Sequence, residues 1–276
     1  MTGTTSSGRW SDLGRRITSA VILLGIGLAL ALSTGVTLRL FMAGFIGLTF
    51  WELANMTGWR YPAMHETAFG RSRPMVLALL AAVSLFGSLM IGSVWGLIFL
   101  ALPLIAGLPG AITRDRLTYA VFGAAILLVG YGLVLMREDY GLAFVIWLMG
   151  VVFLSDILGY FAGKFFGGPK FWPRLSPKKT WSGTVAGWVG AVLLGLILWL
   201  GGHGDPALIW VSPLIAFAGQ MGDIAESWLK RRAGVKDSSN LIPGHGGFMD
   251  RFDAVSGAVL AVLFIGLLTH IPVLVF

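Results

Sequence analysis

Apolar runs of membrane-spanning length recur along almost the whole chain, and they leave few folds open. A run of roughly 17–25 apolar residues is long enough to cross a bilayer as a helix. Lipid offers no partner to backbone N–H and C=O groups, so such a run must close its hydrogen bonds internally, as a helix does. Nine runs fit, at about 17–34, 40–57, 75–92, 94–110, 117–136, 141–163, 184–201, 207–229 and 253–272. Gly92-Ser93 reads either as a tight turn or as a break within one longer feature. Composition agrees: 12% of residues are charged, and a soluble chain carries roughly twice that fraction. The expected fold is an all-α integral membrane protein of about nine transmembrane helices. The 39 glycines suit close helix packing, and the lack of Cys excludes disulfides and Cys-ligated metals.

Charge placement orients the chain. With the N-terminus cytoplasmic and the C-terminus on the opposite side, the cytoplasmic segments are 1–16, 58–74, 111–116, 164–183 and 230–252, and they hold 18 of the 20 Lys and Arg. The other side keeps only Arg39 and Arg137. Basic residues accumulate in short cytoplasmic loops, so the split supports both the count and the orientation. The expected organisation is a polar tail over 1–16, helices 1–5 over 17–136, and helices 6–9 over 137–276, with functional loops at 164–183 and 230–252. Arg15-Arg16 before an apolar run resembles a signal peptide, but a first span with basic flanks explains the same residues.

Ionisable residues within spans are costly and mark functional sites. Here they are Glu52, Asp156, Asp223 and Glu226, with Asp253 at the edge of the last span. Glu52 either reaches the interface from the end of span 2 or belongs to a site. In GQMGDIAESWLKRR, Asp223, Glu226, Ser227 and Lys230 are spaced i, i+3, i+4 and i+7, which puts them on one helix face. Two acids on one face in a low dielectric must be protonated or matched by cations. Lys230 can serve one and a metal ion the other; an interhelical salt bridge is the alternative.

The loop that follows ends in PGHGGFMDRFD. Its glycines make a tight turn, and successive N–H groups at Gly246 and Gly247 can form an anion-binding nest. Asp250 and Asp253 start the last span, where Asp can cap a helix or serve as an oxygen ligand. Lys230, Arg231, Lys236, Asp237, His245 and Arg251 crowd into the same segment. Basic groups, a glycine turn and oxygen ligands together suit phosphates with Mg²⁺. A second basic loop carries Lys164, Lys170, Arg174, Lys178 and Lys179, with Ser176 and Thr180 flanking the Lys pair. Positive-inside bias and attraction to anionic lipid explain any one of these lysines. Phe171, Trp172 and Trp181 suit interface anchors better than base-stacking groups.

The run from Ser227 to Asp253, SWLKRRAGVKDSSNLIPGHGGFMDRFD, resembles the signature of the phosphatidate cytidylyltransferases (CDP-diglyceride synthases). SPKKTW, from Ser176 to Trp181, resembles a second motif of that family, and Asp156-Ile-Leu-Gly-Tyr160 a third. The family commonly has Glu where Ser182 stands, and small residues where Ile157-Leu158 stand. The resemblance implies a helical membrane enzyme of phospholipid biosynthesis that converts CTP and phosphatidate to CDP-diacylglycerol and pyrophosphate. It implies Mg²⁺ held by Asp223 and Asp250, with room for a second, monovalent or divalent, cation. Lys230, Lys236 and Arg251 then act in catalysis. Substrate contacts fall to Asp156, Ser176, Lys178, Lys179, Thr180, Glu226, Ser227, Arg231, Asp237, His245, Gly246, Gly247 and Asp253. The implied partners are CTP, phosphatidate and the bilayer, with no nucleic acid; Gly-rich spans permit a homodimer without requiring one. Short loops and no extra domain favour a bacterial cytoplasmic membrane, with the site facing the cytoplasm.

Two competing readings follow from the same residues. A secondary transporter would use Asp156, Asp223 and Glu226 as an ion site, but the charges cluster on one side and no internal repeat is visible. A CTP-dependent polyprenol kinase shares the substrate chemistry but not the 27-residue signature.

Overall fold

The structure is a computed structural model, and it describes residues 18–19, 21–22, 25–58 and 68–269. Helical residues at 25–32 lead into α1 (Gly35–Thr57) and α2 (Ala68–Ile91). A 3₁₀ stretch (Val94–Leu100) and α3 (Ala101–Gly107) follow, then α4 (Arg116–Phe166). An antiparallel hairpin, β1 (Lys170–Trp172) and β2 (Ser176–Thr180), precedes α5 (Trp181–Leu200), α6 (Leu208–Ala233) and α7 (Met249–Thr269).

The nine-span expectation is corrected here. Among the described residues five helices are long and apolar enough to cross a membrane: Gly35–Thr57, Arg73–Ile91, Thr113–Phe166, Trp181–Leu200 and Leu208–Ala233. The reasons are local. The run expected at 94–110 is a short apolar helical stretch, Trp95–Gly110. Pro103 and Pro109 remove backbone donors there and keep it from extending as a regular α-helix. The runs expected at 117–136 and 141–163 follow one another within α4, counted above as Thr113–Phe166, as two helices that meet at a break at Gly141, whose φ of 75° and ψ of −166° few other residues adopt. The last run, expected at 253–272, is helical as far as Thr269 and extends beyond the described residues. The expected tail over 1–16 lies outside the described residues, whereas most of the expected first span, 17–34, is described and is helical over 25–32. The hairpin also departs from an all-helical chain.

Many large apolar side chains face outward, including Leu117, Phe153, Ile197 and Trp210. On a multi-pass membrane protein that surface meets lipid. The core runs between α1, α2, α4, α6 and α7, with Phe50, Leu53, Leu85, Leu148, Ile215 and Val259 fully enclosed. Polar pins cross it: the Trp147 indole N–H donates to Ser212 Oγ at 3.0 Å, tying α4 to α6. Near the break in α4, Arg39 forks onto Glu138 at 2.8 and 2.9 Å, and Arg137 donates to the Ala31 carbonyl at 2.9 Å. The two arginines set apart in the sequence therefore bind neighbouring helix ends together.

The contact that matters most for function is between α6 and α7. A Cβ on Gly257 would fall onto the Ala218 carbonyl, and one on Gly222 onto the Asp253 carbonyl. The two backbones touch there because neither residue has a side chain.

Candidate active site

The long loop between α6 and α7 folds around two carboxylates. One is Asp250, in the first turn of α7. The other is Glu52, far away in sequence near the end of α1 and fully buried. Glu52 Oε1 accepts from Ser239 Oγ at 2.6 Å and the Phe248 N–H at 2.8 Å. Its Oε2 accepts from the Met249 N–H at 2.7 Å, with Ser238 Oγ at 3.1 Å. The first N–H groups of a helix have no intrahelical partner, and a carboxylate suits the positive end of its dipole. Asp250 Oδ2 accepts from the Gly247 N–H at 2.8 Å and the Ser238 N–H at 3.0 Å. Its Oδ1 holds the Lys230 ammonium at 2.6 Å.

This arrangement alters the expected phosphate nest. The Gly247 N–H is already given to Asp250, and the next two N–H groups go to Glu52. Gly246, with φ of 85°, closes a bridge to Ile242 around the turn. Glu52 is the residue the sequence did not assign. Its signal was an acid in an apolar run, which demands partners; the partners lie 186 to 197 positions away.

Beside this loop three carboxylates converge. One oxygen each from Asp223, Glu226 and Asp253 lies within 4.8 Å of the others. Helical spacing brings Asp223 and Glu226 together, as the sequence indicated, and the Gly222–Gly257 contact brings Asp253 to them. Glu226 is 3% exposed, and its Oε1 has no hydrogen-bond partner among the described residues. Its Oε2 accepts from Lys230 at 2.8 Å. Lys230 thus bridges Glu226 and Asp250, which lies next to the three-carboxylate group rather than in it.

The hairpin supplies the other cation. Lys179 Nζ lies 2.5 Å from Asp223 Oδ2, while the neighbouring Lys178 is exposed. Thr180 is buried and serves as the N-cap of α5, accepting from the Gly183 N–H at 3.2 Å. Ser182, where the family commonly has Glu, donates to the Gly167 carbonyl at 2.5 Å and closes the base of the hairpin. Gln220 locks α4, α5 and α6 together: its amide N–H₂ donates to Ser155 Oγ at 3.2 Å, and its oxygen accepts from the Trp188 indole at 3.0 Å. Asp156, next to Ser155, is exposed and lies in the field of Lys179 and Asp223.

The remaining expected residues lie mostly at the surface. Arg231, Lys236, Asp237 and Arg251 are exposed, Ser176 and Ser227 partly so. Arg251 donates to the His245 carbonyl at 2.6 Å, and Arg231 to that of Val235 at 3.2 Å. The His245 Nδ1 is buried without a partner among the described residues.

Four carboxylates (Asp223, Glu226, Asp250 and Asp253) face two ammonium groups, Lys179 and Lys230. Such an excess of buried negative charge calls for protons or a further cation. Converging carboxylate oxygens, one of them buried without a donor, fit a hard divalent ion.

Comparison with known proteins agrees with this chemistry. Residues 14–269 match the Cytidylyltransferase family. A phosphatidate cytidylyltransferase of Brucella abortus is 38% identical over 267 residues, covering 92% of this chain and 93% of that protein. One from Pseudomonas aeruginosa is 34% identical, covering 90% and 94%. One from Staphylococcus saprophyticus is 30% identical, covering 87% and 93%. With its whole helical body and its acidic site inside the matched region, the chain belongs to the cytidylyltransferase family.

Proposed function

We propose that this protein transfers the cytidylyl group of CTP to phosphatidate, forming CDP-diacylglycerol and releasing pyrophosphate. The observation that carries the reading is the convergence of Asp223, Glu226 and Asp253, one oxygen buried and unpartnered, between Lys179 and Lys230. A Mg²⁺ bound there would supply positive charge to substrates that are both polyanions. Asp223 would hold it from within the cluster. Asp250, the second ligand that the family resemblance implies, would do so from beside it.

The residues of the chain divide the remaining work. The backbone N–H groups of Gly247, Phe248 and Met249 are taken by Asp250 and Glu52, so phosphate binding falls to side chains. Lys178, Arg231, Lys236 and Arg251, all exposed, would hold phosphate oxygens. The phosphatidate phosphate would attack the α-phosphorus of CTP in line with departing pyrophosphate. It needs no strong general base, because a phosphate monoester is largely ionised near neutral pH. The lipid headgroup would arrive from the bilayer surface and the nucleotide from water. The basic segments on the site's side support a cytoplasmic face in a bacterial cytoplasmic membrane.

The test is to incubate the detergent-purified protein with phosphatidate, CTP and Mg²⁺ and to follow CDP-diacylglycerol and pyrophosphate by mass. Metal-dependent formation of both, lost in Asp223→Asn, is the expected result. CDP in place of pyrophosphate would show a CTP-dependent kinase and overturn the reading.

A further inference from the structure

Lys179 occupies a place that its neighbours on the hairpin do not. Its ammonium lies 2.5 Å from Asp223 Oδ2, and its second partner, the Gln220 carbonyl, is distant at 3.5 Å. The pair sits at the open edge of the acidic cluster: the side chains of Lys179 and Asp223 are 23% and 30% exposed, against 13% and 4% for Lys230 and Glu226. The strand beneath it is pinned, by the Thr180 cap on α5 and by the Ser182 bond to Gly167. The backbone therefore stays while the flexible four-carbon stem can swing.

Asp223 cannot serve an ammonium and a divalent ion through the same oxygen. Two like charges a few ångströms apart in such surroundings repel strongly. A cation that takes Asp223 Oδ2 displaces Lys179, and the groups that can then compensate the freed ammonium are Asp156, in whose field it already lies, and a phosphate of the nucleotide. We infer that Lys179 is a resident counter-ion of Asp223 that couples the two binding events: cation entry releases it, and the released ammonium binds the triphosphate. The inference rests on the reading of the cluster as a cation site. By linkage the coupling is reciprocal, so bound nucleotide also favours the cation.

The test uses Mn²⁺ as probe, titrated by electron paramagnetic resonance into the detergent-purified full chain without nucleotide or phosphatidate. Lys179→Met is expected to bind Mn²⁺ about tenfold more tightly than the parent, within the usual range for coupled sites. The same variant is expected to show a raised KM for CTP at saturating Mg²⁺, with the KM for phosphatidate little changed. Lys178→Met, one residue along and facing out, is expected to leave Mn²⁺ affinity within about twofold, because exposed charges are screened. Unchanged or weaker Mn²⁺ binding in Lys179→Met would overturn the inference, since a merely structural lysine would weaken both ligands on removal. Equal tightening in Lys178→Met would also overturn it, by showing a general field effect. Should the parent bind no more Mn²⁺ than Asp223→Asn, the cation-site reading itself fails and the coupling with it.

Discussion

The carboxylate of Glu52 accepts the backbone N–H of Met249 at 2.7 Å, across 197 positions of sequence. With Phe248, Ser238 and Ser239 as further donors, it gathers the signature loop onto the end of α1. The N-terminal half of the chain, which holds none of the three sequence motifs, thus shapes the site through one buried side chain.

Replacing Glu52 should therefore disturb the loop. Glu52→Ala leaves the Phe248 and Met249 N–H groups and the Ser239 hydroxyl without their acceptor, while Ser238 keeps Asp250, and hydrogen bonds to a charged group are strong. We expect a loss on the order of 3 kcal/mol of stability, with activity nearly gone. Glu52→Gln keeps one acceptor oxygen and should retain measurable activity. Thermal unfolding in detergent, with product measured by mass, separates the two. Full activity in Glu52→Ala would show that the loop holds itself.

Metal dependence should follow the cluster. EDTA is expected to abolish product formation, and added Mg²⁺ to restore it. Asp253→Asn should raise the Mg²⁺ concentration needed for half-maximal rate by about tenfold or more, because one of the three converging oxygens loses its charge. An unchanged Mg²⁺ requirement would remove Asp253 from the ion's surroundings.

The glycine contact between α6 and α7 makes a separate prediction. Gly257→Ala places a methyl against the Ala218 carbonyl and the Gly222 Cα, so the helices must part and carry Asp253 away from Asp223. Activity and Mn²⁺ affinity should fall together. Gly87→Ala meets nothing within 4 Å, and it should be neutral or slightly stabilising, since Ala is the better helix former. Equal behaviour of the two variants would show that the close approach is dispensable.

Arg232 tests the scaffold without touching the cluster. It binds the buried Asp115 at 2.6 Å and the Arg114 carbonyl at 2.7 Å, and lies 5.3 Å above the Trp228 ring. This fastens the end of α6 to the turn before α4. Arg232→Ala should lower stability by about 2 kcal/mol, because Asp115 loses its main partner. KM for CTP should change little. A large rise in that KM with an unchanged melting temperature would move Arg232 from scaffold to site.

Part of this was legible in the sequence because it rests on local spacing. Residues three and four apart on a helix share a face whatever surrounds them, so Asp223, Glu226 and Lys230 could be grouped from the sequence, and they are together. The clustering of basic residues around one segment was equally plain. The span count was not. Apolar length alone does not show where one helical limb ends and the next begins, which in α4 is marked by the non-helical Gly141. Nor does it reveal that two prolines turn an apolar run into a short 3₁₀ and α-helical stretch.

By itself the sequence determined the membrane class, the family resemblance and the set of charged groups gathered near one site. These follow from composition, helical periodicity and a contiguous motif. Only the tertiary structure decided which charges meet. It set Asp253 beside Asp223, Asp250 on Lys230, Lys179 on Asp223 and Glu52 under the signature loop. The physical reason is that each of these contacts joins elements brought together by packing, through backbone contact at Gly222 and Gly257 or through a buried carboxylate in need of donors. Such needs are visible along the chain, but what satisfies them depends on the fold.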